Sequence, residues 1–98
     1  MLVKIQNSYR HIVAICDTEL LGKCFEENKF QLDIKKSFYD GDEKSEKEVI
    51  EIIQDLQKED ATFNIVGKQS TNTAIKAGLV SKDSIKTIQE IPFALVLM

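Results

Sequence analysis

The chain has 98 residues, 43% of them hydrophobic and 30% charged, with a net charge of −3. A chain of this length makes one domain that buries roughly 60–65% of the surface its unfolded form exposes, enough for one core without staples. Four glycines, one proline and no apolar run near the roughly 20 residues of a bilayer span argue against a disordered linker, a membrane protein or a signal peptide, so a cytoplasmic protein is expected.

Charge is unevenly placed. Residues 40–60 hold nine acids against three lysines, a net of −6, while the other 77 residues hold ten basic and seven acidic side chains. The molecule is therefore bipolar, with too mild a basic side to imply nucleic-acid binding by charge alone. Cys16, Cys24 and His11 lack the tight ligand spacing of a zinc site, so no metal is expected, and the cysteines read as small apolar residues in a reducing compartment.

In chain order, Leu2, Val3 and Ile5 start a strand, Asn7 to Arg10 turn, and His11–Cys16 form a second strand. That strand is apolar on both faces and so belongs in the middle of the sheet. Asp17 can cap a short helical turn that Gly22 ends. Cys24 to Lys29 read as a connection, and Phe30-Gln31-Leu32-Asp33-Ile34 alternates as a half-buried strand. Phe38 and Tyr39 are packing residues before the turn Asp40-Gly41-Asp42.

Ser45-Glu46-Lys47-Glu48 is a capping box, and Val49, Ile50, Ile53 and Leu56 share one face of the helix it opens, which runs to about Lys58. Ala61 to Val66 is a strand, Ser70 to Ala77 a helix, and Gly78 its stop, with Leu79 and Val80 folding back over the last turn. Ile85 to Ile88 is a short extended segment, and Phe93 to Met98 a final apolar strand that makes the C-terminus structural. The fold class is α+β: a single small domain at 1–98, with a mixed, mostly antiparallel sheet and two main helices.

Two stretches carry candidate sites. Asn64, Gly67, Lys68 and Ser70 resemble an anion cradle, with glycine for close approach, amides at a helix start, and lysine as a point charge. The spacing is not that of a P-loop, and the simpler reading is a turn with Ser70 or Thr71 as the cap and Lys68 in solvent. Asp17, Glu19 and Lys23 form a polar loop that suits a partner, or simply a cap with exposed neighbours. His11 reads as a surface or packing residue, neither thiol has an activating neighbour in sequence, and no serine stands in a nucleophile elbow. No catalytic residue and no cofactor is assigned.

Five short motifs stand in order along the chain: Asp17-Thr18-Glu19-Leu20-Leu21-Gly22-Lys23, Phe38-Tyr39-Asp40-Gly41, Asn64-Ile65-Val66-Gly67, Ala77-Gly78-Leu79-Val80 and Ile91-Pro92-Phe93-Ala94. Together they resemble the archaeal family called domain of unknown function 424. The resemblance implies a single-domain α+β protein of the archaeal cytosol, from a family that travels with translation genes, with no reaction attached. Many relatives carry histidine where this chain has Phe93 and a small residue where it has Phe63, so a reaction dependent on that histidine would be closed to this chain. The expected function is a non-enzymatic module contacting translation factors, the ribosome or structured RNA. Lys35, Lys36, Lys68, Lys76, Lys82 and Lys86 form the side that would face RNA. The alternative is a small ligand binder or enzyme that holds a phosphate or carboxylate at the Asn64–Ser70 turn.

Overall fold

A computed structural model describes residues 1–97, so the end of the expected last strand, Met98, lies outside the described residues. The chain opens with β1 (Leu2–Asn7) and β2 (His11–Cys16), followed by a 3-10 turn at Thr18–Leu20. Next come β3 (Cys24–Glu27), β4 (Phe30–Asp33), the short helix α1 (Lys36–Tyr39) and β5 (Asp42–Glu43). Then follow α2 (Glu46–Gln57), β6 (Thr62–Val66), α3 (Lys68–Lys76), a second 3-10 turn at Lys82–Ser84, β7 (Lys86–Ile88) and β8 (Ile91–Val96).

Six strands form one sheet in the order β5-β1-β2-β6-β8-β7, and β3 pairs with β4 as a separate hairpin. Among the described residues only β2 and β6 run parallel, and the other pairings are antiparallel. The fold class expected from sequence therefore holds, with β2 in the interior because both its faces are apolar.

Two cores result, one on each face. On the helix face, Val3, Val13, Ile15, Phe63, Ile65 and Ala74 pack with Val49 and Ile53 of α2. Helix α2 forms because Ser45 and Glu48 close the capping box in both directions: the Glu48 amide donates to Ser45 Oγ and the Ser45 amide to Glu48 Oε1. Helix α3 ends in a Schellman arrangement, with the Leu79 amide donating to the Ala74 carbonyl, the Gly78 amide to Ile75, and Gly78 at φ +80°. Leu79 and Val80 then pack back onto the core, as their position in sequence implies.

The second core is smaller. Leu20, Ile34 and Tyr39 lie over Leu2, Ala14, Cys16 and Val66, with Phe25, Leu32, Phe38 and Phe93 at its margin. The connection expected at Cys24 to Lys29 is instead strand β3, which turns at Asn28 (φ +57°) and pairs back along β4. Residues 24–27 lack apolar alternation because this hairpin is largely exposed, so its strand signal was weak.

Candidate functional site

The parallel pair β2 and β6 places Asp17 and Gly67 side by side at their carboxyl ends. The Asp17 amide donates to the Val66 carbonyl at 3.1 Å, which fixes the start of the loop. The Asp17 side chain turns inward and is only 4% exposed. Its Oδ1 accepts from the Ser70 amide at 2.8 Å and from Ser70 Oγ at 2.7 Å, and its Oδ2 accepts from the Gln69 amide at 3.1 Å. The positive end of α3 thus holds a carboxylate supplied by the protein itself. Gly67 (φ +111°) is needed for this approach, because a Cβ there would stand 2.2 Å from the Asp17 carboxyl carbon.

Asp17 therefore does not cap the turn that follows it, as its sequence position suggested. The Thr18–Leu20 turn has no side-chain cap, and Gly22 (φ +83°) lies just beyond it. A distant helix offers two amides and a hydroxyl, whereas a single 3-10 turn offers less. Thr71 Oγ1 donates to the Gly67 carbonyl at 2.8 Å and does not serve as the cap.

The structure separates the other members of the Asn64–Ser70 group. The Gly67 amide donates to the Pro92 carbonyl within the sheet. Asn64 lies on the opposite face from α2, in a row across the strands with Lys4, Ala14 and Leu95. Lys68 lines a groove of about 540 Å³ with Thr71, Asn72, Ile75, Lys82, Ile85 and Pro92. Of Asp17, Glu19 and Lys23, the last two are exposed and Asp17 is buried.

Of the lysines expected on one side, Lys76 pairs with Glu46 at 2.7 Å and Lys35 lies 4.0 Å from Asp33. His11 sits at the opposite end of the sheet, where its Nε2 is 3.3 Å from Glu59 Oε2 and its Nδ1 meets Asn7 Oδ1. A shallow cleft of about 330 Å³ is lined there by Asn7 to His11, Glu59 and Asp60. Burial, with help from the negative Asp17, pushes the Cys16 thiol up to about 11, and burial pushes the Tyr39 hydroxyl up to about 12. Both groups stay neutral, and the Cys16 thiol is not a nucleophile at neutral pH. Cys24 is exposed and accepts from Gln31 Nε2. No group of three or more metal-ligating side chains occurs among the described residues. None of the helices among the described residues is long and apolar enough to cross a membrane.

Sequence reasoning missed an exposed apolar surface on the sheet. On the face away from α2 and α3, the row Leu2–Cys16–Val66–Phe93 is covered by the second core. In the next row that cover reaches Lys4, whose ammonium donates to the Ser37 carbonyl at 2.7 Å. At the far end of the same row Leu95 is 57% exposed, and Leu97 two residues on is 73% exposed. Gln6, Ile12 and Thr62 form a third, half-buried row. The signal was present in the strict apolar run Phe93–Leu97: in a sheet covered on both faces every one of those residues would be buried.

Fold and surface define a small α+β domain with one sheet face packed against α2 and α3 and one partly open face. The chain belongs to the family described as "Protein of unknown function (DUF424)", whose pattern matches residues 5–98. An uncharacterized conserved protein from Methanopyrus kandleri, solved by crystallography, has the same fold, with a TM-score of 0.86 at 23% identity over 97% of this chain and 88% of that one. Comparison with curated proteins gives no match.

Proposed function

We propose that this protein is a non-enzymatic docking module, that the uncovered half of its sheet is the docking surface, and that its partners belong to the translation apparatus of an archaeal cytoplasm. The observation that carries the docking reading is the exposure of Leu95 and Leu97 beside the half-buried row Gln6, Ile12 and Thr62. Exposed apolar side chains grouped beside polar ones on one open face suit a protein contact site. The internal use of Asp17 supports the same reading, since the most phosphate-like site in the sequence is filled by the chain's own carboxylate. The translation setting rests on the family resemblance. The open rows carry apolar side chains and amides with one lysine, Lys4, already engaged, which favours a protein partner over RNA.

Affinity purification from an archaeal lysate tests this, with wild-type protein and Leu95→Asp side by side. Ribosomal or initiation components should be recovered with the wild type and lost with the variant. Their absence from both would count against the translation setting.

A second reading keeps Lys68. Its groove is lined by the apolar Ile75, Ile85 and Pro92 together with Lys68 and Lys82, a combination that suits a small amphipathic anion. Thermal-shift screening with nucleotides and phosphometabolites tests it, because a ligand at about 100 times its Kd stabilises by roughly 2.7 kcal/mol.

A further inference from the structure

The open face ends at a strand edge that is itself incomplete. Antiparallel pairing makes both backbone polar groups of one residue point to the same side of a strand. The Pro92 carbonyl accepts from the Gly67 amide, so Pro92, Ala94 and Val96 turn their backbone groups toward β6. Ile91, Phe93 and Leu95 turn theirs the other way. There Ile91 faces Ile88 and Phe93 faces Lys86, and β7 goes no further. Leu95 has no backbone partner on that side among the described residues.

The edge is free over Ala94–Leu97, a stretch with neither a charge nor a proline, the usual devices that keep an edge from pairing. A notch of about 310 Å³, lined by Ser84, Lys86, Phe93, Ala94 and Leu95, adjoins it. Lys86 also borders the neighbouring cleft of about 410 Å³ under Phe30, which is 70% exposed. The Lys86 ammonium makes no ion pair or hydrogen bond among the described residues.

We infer that the Leu95 edge of β8 receives an extended peptide segment of a partner protein, which adds a strand to the sheet, lays alternate apolar side chains along Leu95 and Leu97, and sets an acidic side chain near Lys86. This deepens the docking reading and rests on it. Backbone pairing supplies the affinity, and the face rows and Lys86 supply the selectivity. Charge selects the occupant: the notch is lined by one unpaired cation, Lys86, and no acid, so it matches an acidic segment.

The probe is a blocked peptide, Glu-Thr-Val-Thr-Val-Thr, whose acid and valines share one face when extended, titrated into the full-length 15N-labelled protein. Shift changes should concentrate at Lys86 and at Phe93 to Leu97, and exchange of the Leu95 amide should slow. Leu95→Pro removes that outward amide without touching the β6 ladder, and should weaken binding about tenfold, the effect of one backbone hydrogen bond. Leu95→Asp serves as the second variant should proline disturb the strand, and Lys86→Glu should weaken binding several-fold.

Equal binding by the same peptide methylated on alternate backbone nitrogens would overturn strand addition. So would shifts confined to another surface, no binding at all, an oligonucleotide reproducing the same shifts, or a self-associated protein in sedimentation that Leu95→Pro makes monomeric. The docking reading fails separately, when Leu95→Asp leaves the purified partners unchanged.

Discussion

Asp17 and Ser70 lie 53 positions apart in sequence and share two hydrogen bonds, 2.8 Å from amide to carboxylate and 2.7 Å from hydroxyl to the same oxygen. This contact joins the end of β2 to the start of α3 and orients the helix on the sheet. Replacing Asp17 with Ala removes a helix cap and strands two amides and a hydroxyl in a buried site. The expected loss is about 2–4 kcal/mol, read by denaturant unfolding. Asp17→Asn keeps an acceptor and should cost less than Asp17→Ala; equal costs would mean that the negative charge facing the helix carries the whole interaction and the neutral acceptor none of it.

Gly67 belongs to the same unit. Gly67→Ala combines a left-handed φ of +111° with a Cβ driven into the Asp17 carboxylate. It should destabilise by about 2 kcal/mol or more, a fall in Tm of roughly 10 °C for a domain of this size. A fall of only a degree or two would show that the carboxylate can move away freely.

The buried Cys16 makes the fold sensitive to base. Its thiol is raised to about 11 from an ordinary 9.0, so the unfolded chain releases this proton first as pH climbs. The unfolded state then binds fewer protons than the folded one, and stability falls with pH across that window, being fully present below it. Tyr39, raised to about 12 from 10.0, extends the loss upward. Cys16→Ala should flatten the dependence of stability on pH between 9 and 11 while lowering stability at neutral pH. Thiol labelling gives an independent check: Cys24 should react at neutral pH in the native protein and Cys16 only after unfolding.

The two-residue turn between β7 and β8 holds Gln89 at φ +49° and Glu90 at φ +66°, both in the left-handed region. The Gln89 amide donates to Glu27 Oε1 at 2.8 Å, and its side chain donates to the Glu26 carbonyl, which ties the turn to the β3–β4 hairpin. Glu90 makes no such contact among the described hydrogen bonds and is exposed. Glu90→Gly should therefore stabilise the fold by about 1 kcal/mol, measured by thermal unfolding, because this kind of hairpin turn favours glycine there. A destabilised variant would mean that Glu90 holds the turn through its side chain.

Much of this architecture was legible in the chain itself. The capping box at Ser45, the glycine stop at Gly78 and the doubly apolar β2 are local signals, and each specifies its element without help from distant residues. The long-range use of Asp17 was not legible. An acid before a short turn reads as that turn's cap, and only the parallel pairing of β2 with β6 brings it to α3. The same pairing removed the apparent convergence of Asn64 with Lys68, since strand alternation sends Asn64 to the far face. Strand β3 escaped because an exposed hairpin needs no apolar alternation, and the open rows escaped because sequence gives periodicity but not coverage.

The most direct measurement is a comparison of wild-type protein, Leu95→Asp, and a control reversed on the far helix face, Glu51→Lys, for partner recovery by quantitative mass spectrometry. Matched unfolding curves would confirm that all three are folded. Loss of the same reproducible partners from Leu95→Asp alone is the predicted result. Partners retained by Leu95→Asp and lost by Glu51→Lys would contradict it and move the contact surface to α2.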